Sequence, residues 1–242
     1  MYKLLKLIFL FRILFFSSHS FCQVEIRKDT VYFKNYEKKI MVVHTNNRQY
    51  YDDSTCVWEV MYPEISGLEN KTVETLLNTR FSQEVAFGDC NDEKCDRTTM
   101  YFPQLTRYWD KVKITGIKND LLSYCLTEGY CPVYSKLCSG KTQYHLYNLK
   151  TASEVEMSRL FKKDDVTQHK LDSIILEKLD FVPEDLGVVR NERQFYFEKD
   201  KLFVFYDWHT IGRSETYVFE LSYREIQGLI NPSGLLAVFF KK

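Results

Sequence analysis

Six of the chain's seven cysteines fall between residues 56 and 138, and the seventh, Cys22, closes an apolar leader. No other feature constrains the fold as strongly. An even set of cysteines in an exported chain reads as a disulfide framework. Many pairings are combinatorially open. The spacing offers one assignment: Cys90 with Cys95 across a polar loop, Cys131 with Cys138 around a second loop, and Cys56 with Cys125 joining two predicted strands. The tight C-x-x-C spacing of a zinc site is absent, so no metal is expected from these thiols. Residues 139–242 contain no cysteine and must rely on core packing alone.

The export reading rests on residues 1–22. Lys3 and Lys6 precede an apolar run, Leu7 to Phe16, interrupted by Arg12. Ser20 and Cys22 are small residues at the −3 and −1 positions of a cut before Gln23. A basic start, a short apolar middle and a small-residue end describe a secretory signal peptide. The middle is too short to span a bilayer. Lipidation of Cys22 and an uncut anchor are the rival readings, but Phe21 is not the small residue that lipidation requires. Losing Lys3, Lys6 and Arg12 leaves 30 basic against 33 acidic residues, a net charge of −3. Such a balance is ordinary for solubility and by itself implies no polyanion partner, nucleic acid included. No later stretch has the length and apolarity of a membrane span, so a periplasmic or extracellular location without a transmembrane anchor is expected.

Residues 23–55 predict one or two strands with loose ends. Residues 56–62 predict a strand stopped by Pro63. Val73, Leu76, Leu77 and Phe81 fall on one helical face, as do Leu171, Ile174, Ile175 and Leu179. Asp164 and Asp165 stand where a carboxylate caps the second helix. Residues 82–104 predict a long loop. Residues 108–118 and 121–128 predict a hairpin turning at Asn119-Asp120, with a further strand at 142–149. Residues 194–199 and 201–207 predict another hairpin, 215–221 a strand, and Ser222–Leu229 a short helix. The order predicts an α+β fold: mainly antiparallel sheet with two amphipathic helices packed on it, stapled by disulfides in its N-terminal half. Residues 23–150 and 151–242 are expected to form two halves of one unit, because no linker separates them.

Several stretches together resemble the RsiV-like extracellular domain family. Tyr62-Pro63-Glu64-Ile65 with the helix ending at Leu77-Asn78 is similar to the family's start. The block Tyr144–Thr151, followed by Met157–Phe161, resembles its aromatic strand, turn and short helix. Phe203–Gly212, continuing through Val218, Tyr223, Leu229 and Asn231-Pro232, resembles its last strand–helix unit. The similarity covers roughly residues 55–240. Trp208–Glu215 and the six cysteines depart from the family's pattern. The family includes the exported part of an anti-sigma factor that binds lysozyme, and domains attached to peptidoglycan deacetylases. The resemblance therefore implies an exported α+β domain that binds at the cell envelope, its ligand a protein, lysozyme among them, or a cell-wall glycan.

Catalytic signatures are scarce. His44, His145, His169 and His209 lie in no metalloprotease pattern, and no nucleophile elbow or phosphate-binding glycine loop is present. His145 is expected to pack or to lie at an edge, and His169 to be solvated. Asp89, Asn91 and Glu93 alternate as calcium ligands would, but the pattern stops early, so a solvated acidic loop is the plainer reading. Asn70-Lys71-Thr72 matches a glycosylation sequon. Tyr124, Tyr130, Tyr134, Tyr144 and Tyr147 cluster near three cysteines and suit either a β-rich core or recognition of protein or sugar. Tyr144, Tyr147, Tyr206, Trp208 and His209 are the candidate binding residues, with no catalytic residue, cofactor or metal expected. An envelope enzyme acting on cell-wall material and a purely structural envelope component are the alternatives.

Overall fold

The computed structural model describes residues 23–50, 56–85, 106–132, 138–156, 159–179, 193–199, 201–207 and 216–240. The leader, the Cys90–Cys95 segment with the calcium-like residues, Tyr134, Pro183, Trp208 and His209 lie outside these residues.

The fold is α+β and mostly antiparallel. A seven-stranded sheet takes its strands in chain order: β1 (Gln23–Asn35), β2 (Lys38–Tyr50), β3 (Cys56–Ser66), β4 (Thr106–Lys118), β5 (Leu121–Pro132), β6 (Ser139–Asn148) and β7 (Ser153–Glu154). Among the described strands only β3 and β4 run parallel, and helix α1 (Lys71–Gln83) lies in the crossover between them. A three-stranded antiparallel sheet, β8 (Gln194–Glu198), β9 (Lys201–Tyr206) and β10 (Tyr217–Leu221), packs on the larger one through β4, β5 and β6. Helix α2 (Asp165–Lys178) and the short helices α3 (Tyr223–Ile226) and α4 (Leu235–Phe239) complete the C-terminal part.

Residues 23–50 are more regular than expected, because β1 and β2 pair over all 13 of their residues. β3 does not stop at Pro63. Its pairing with β4 ends at Met61–Lys111, while Pro63 stays opposite His44 of β2. Beyond that point proline's missing N–H interrupts no ladder on the β4 side. His44 takes up the vacated edge: its buried Nε2 accepts the Ile114 N–H at 3.2 Å. The β4–β5 turn has positive φ at both Asn119 (50°) and Asp120 (65°), the conformation a tight two-residue hairpin requires.

Two cores flank the sheet. Beneath α1 lie Val73, Leu77 and Phe81 with Val60, Ile65, Val112, Leu122 and Tyr124. Leu76, predicted on that face, is instead 55% exposed. Asn70, the sequon asparagine, caps α1 by accepting from the Thr72 and Val73 amides. Asn78 clamps the helix to β3, donating to the Ile65 carbonyl at 2.9 Å and accepting its amide at 2.8 Å. The second core joins Leu121 and Leu146 of the large sheet to Leu171, Ile175, Phe195, Phe197, Val204, Tyr206 and Phe239. Gly116 permits this contact, since a Cβ there would run into the Phe197 ring. Asp164 caps α2 through the Thr167 amide at 2.8 Å, as the sequence anticipates.

Cys131 and Cys138 form a disulfide between β5 and the start of β6. The expected Cys56–Cys125 bridge is corrected: Cys125 is a free thiol. Register explains why. Cys56 stands level with Thr106 and, across β4, with Pro132. Cys125 lies seven residues back along β5, roughly 23 Å at strand rise.

Candidate functional site

The alternating residues of β4 build the most chemically loaded surface of the described chain. Arg107, Trp109, Lys111 and Lys113 stand at intervals of two and line a cavity of about 610 Å³. Its other wall comes from the facing strand, where register sets Cys131 opposite Arg107, Thr127 opposite Lys111 and Cys125 opposite Lys113. Met61 of β3 and Cys138 complete the lining.

Trp109 owes its position to two glycines. It stands opposite Gly129 on β5, which stands opposite Gly140 on β6. A Cβ on Gly129 would lie 2.7 Å from the indole Cζ2, and one on Gly140 3.3 Å from the same atom. The ring therefore lies directly on backbone that any larger residue would push away.

The floor of the charge network is Glu59, 2% exposed. Its carboxylate accepts from Asn46 at 2.7 Å and from Arg107 Nε at 2.9 Å, with a second, close contact from Arg107. Lys111 lies 3.0 Å away and Arg48 3.7 Å away. Burial alone would raise this carboxyl; the hydrogen bonds from Asn46, Arg107 and Lys111 outweigh it and hold the pKa at about 2. Three cations thus line the cavity while one carboxylate offsets them. The Cys125 thiol is pushed up by burial, against the opposing pull of Lys113, so it stays protonated at neutral pH.

The candidate residues read from the sequence are scattered. Tyr206 is wholly buried in the second core, its hydroxyl pushed up by burial, and presents no face to a partner. Tyr147 is 5% exposed in the first core, where Arg80 lies over its ring and donates to its hydroxyl. Both rings serve packing. Tyr144 is half-buried, stacked on Tyr196 at 4.1 Å and paired with Cys125 across the β5–β6 ladder, but it is not among the residues lining the cavity. His145 stacks on Tyr124 at 4.9 Å and bonds Glu154 at 2.6 Å, while His169 is exposed on α2. Of the tyrosine cluster, Tyr124 is fully buried and Tyr130 is 44% exposed.

A second cavity of about 420 Å³ lies where Tyr36, Gly67, Asn70, Asp120 and Lys150 meet. Its chemistry is structural. Asp120 accepts from the Tyr36 hydroxyl at 2.7 Å and pairs with Lys150 at 3.0 Å. Burial opposes these contacts, yet they keep its carboxyl below the ordinary range, and Asp120 in turn raises the Tyr36 hydroxyl. The brace ties the β1–β2 turn to the β4–β5 turn. Among the described residues no group of three His, Cys, Asp or Glu converges as a metal site. No described helix is long and apolar enough to cross a membrane.

No sequence family and no curated protein matches the chain. The fold is similar to that of a solved DUF3298 family protein from Bacteroides fragilis, at a TM-score of 0.56 and 8% identity, over 93% of this chain and all of that one. A DUF3298 protein from Pseudomonas aeruginosa aligns over 91% of this chain and 97% of its own, at a TM-score of 0.46 and 6% identity. At 8% identity the likeness to the Bacteroides fragilis protein speaks for architecture alone, and the function must be read from the site.

Proposed function

We propose that this chain is an exported, non-catalytic binding module of the cell envelope, of the RsiV-like kind, recognising a protein or a cell-wall glycan at the cationic cavity of β4 and β5. The cavity itself carries the reading. It sets three cations and an indole on a rigid sheet face and backs them with a carboxylate already engaged by its neighbours. A carboxylate at about pKa 2 is a poor general base, which favours binding over hydrolysis of cell-wall material. The Cys131–Cys138 disulfide supports an oxidising location.

The test is calorimetric titration of the full chain, produced through an export pathway, with lysozyme and with soluble peptidoglycan fragments in parallel. Muramidase activity and fragment turnover are followed in the same samples. Binding to either ligand, weakened at least tenfold by Lys113→Glu and without turnover, is the expected result. Turnover of the fragments would establish the enzyme reading instead. Absence of binding to both ligands would overturn the module reading.

A further inference from the structure

We propose that the cavity takes an acidic oligosaccharide, with a pyranose ring stacked on Trp109 and its carboxylates met by the row Arg107, Lys111 and Lys113; this deepens the binding-module reading and rests on it.

Three observations converge. The first is the platform. The Gly129–Gly140 pair lets Trp109 lie against the backbone, held from below, while the indole still borders the cavity. A flat aromatic surface pre-set in this way matches the C–H face of a pyranose, because ring stacking loses little freedom when the indole is already fixed. The second is charge. The cations exceed the single carboxylate behind them: Glu59 takes the Nε and Nη2 of Arg107 and one contact from Lys111, while exposed Lys113 adds charge beyond that network and leaves the row net positive. They extend from residue 107 to residue 113, roughly 20 Å along the strand. That row suits charges repeated along an oligomer better than one compact anion.

The third is what the surface cannot offer. The cavity lies on a sheet face, where β4 is flanked by β3 and β5, and β5 by β4 and β6. Among the described residues β4 pairs with β3 from Thr106 to Lys111 and with β5 along its length, and the Ile114 N–H beyond the β3 ladder goes to His44. An acidic peptide would find no long free strand edge among the lining residues on which to satisfy its own backbone. A phosphate would find no convergent backbone amides or helix N-terminus among the lining residues. A saccharide brings hydroxyls and carboxylates but no chain of obligatory amides, and the Thr127 side chain lines its path.

The experiment titrates the full exported chain with four probes: tetragalacturonate, tetramannuronate, fully methyl-esterified tetragalacturonate, and tetraglutamate. Saturation-transfer NMR and calorimetry provide the readouts. At least one acidic sugar is expected to bind with Kd below about 1 mM. Esterification should weaken tetragalacturonate at least tenfold wherever the acid form binds. Lys113→Glu, at an exposed position, should weaken the acidic sugar at least tenfold. Trp109→Leu should abolish saturation transfer to its ring protons, with circular dichroism confirming the fold of each variant. The proposal is overturned if neither acidic sugar binds, if the ester binds equally, if tetraglutamate binds more tightly, or if Lys113→Glu has no effect. Lysozyme or peptidoglycan binding that persists without any acidic-sugar response would sink this proposal alone. Loss of all binding would sink both.

Discussion

Glu59 joins three strands through one carboxylate. Asn46 and Arg48 reach it from β2, and Arg107 and Lys111 from β4. Its folded pKa of about 2 lies below the ordinary 4.5. The stabilisation is therefore complete above pH 4.5 and is lost as pH falls toward 2, amounting to up to about 3 kcal/mol. Glu59→Gln should cost about 3 kcal/mol near neutrality, since it strands cations that share one counter-charge. It should also flatten the acid limb of the stability profile, measured by urea denaturation from pH 7 to pH 2.

His44 behaves differently. Burial lowers its pKa, Lys113 lowers it further, and Asp29 opposes them. The folded chain thus holds fewer protons at this ring than the unfolded chain. Its contribution is present above pH 6.5 and declines below it. His44→Leu leaves the Ile114 amide without its acceptor. The expected cost is about 1–3 kcal/mol, with the slope of stability just below pH 6.5 removed. A variant that keeps that slope would show that another group titrates there.

At the scale of elements, much of the chain was legible beforehand. Alternation, turn chemistry and caps locate the β4–β5 hairpin, the β8–β9 hairpin and both long helices to within a few residues, because those signals are local. Leu76 was misplaced because two neighbouring leucines fit one helical stripe and the sheet covers only part of it. The cavity was missed for a different reason. The spacing Arg107, Trp109, Lys111, Lys113 is visible in the sequence, but register alone places a small thiol, a threonine and a glycine opposite them. Tyr206 and Tyr147 looked like recognition residues because composition does not reveal which aromatic rings are covered. Asn78 enters the sequence reading as the end of the family-like helix, whereas α1 runs on to Gln83 and the clamp on β3 carries no local signal. Asn78→Ala should raise helix propensity yet destabilise the protein by about 2 kcal/mol, because both Ile65 backbone groups lose their partner. Hydrogen exchange at the Ile65 amide should accelerate with it. Unchanged protection there would show that the clamp is dispensable.

At the scale of the whole molecule, the large sheet is a shared wall. Leu122 and Tyr124 face the core under α1, whereas Leu121 and Leu146 face the core of the C-terminal part. Neither core closes without strands of the same sheet. Leu146→Ala should cost about 2–5 kcal/mol and lower a single calorimetric transition. Two resolved transitions, with only one moving, would show that the parts melt separately.

The two rims of the large sheet are unequal. One ends in the two-residue β7; the other is β1, 13 residues long and, among the described residues, bordered by a strand on one side only. A rim of that length is a template on which a second chain could grow a strand, and Val24, Ile26 and Tyr32 stand exposed along it. Glu25, Arg27, Lys28, Asp29 and Lys34 interrupt it with charge of both signs. They stand where gatekeepers against edge-to-edge pairing stand, and a chain stripped of them is expected to lose solubility while keeping its fold.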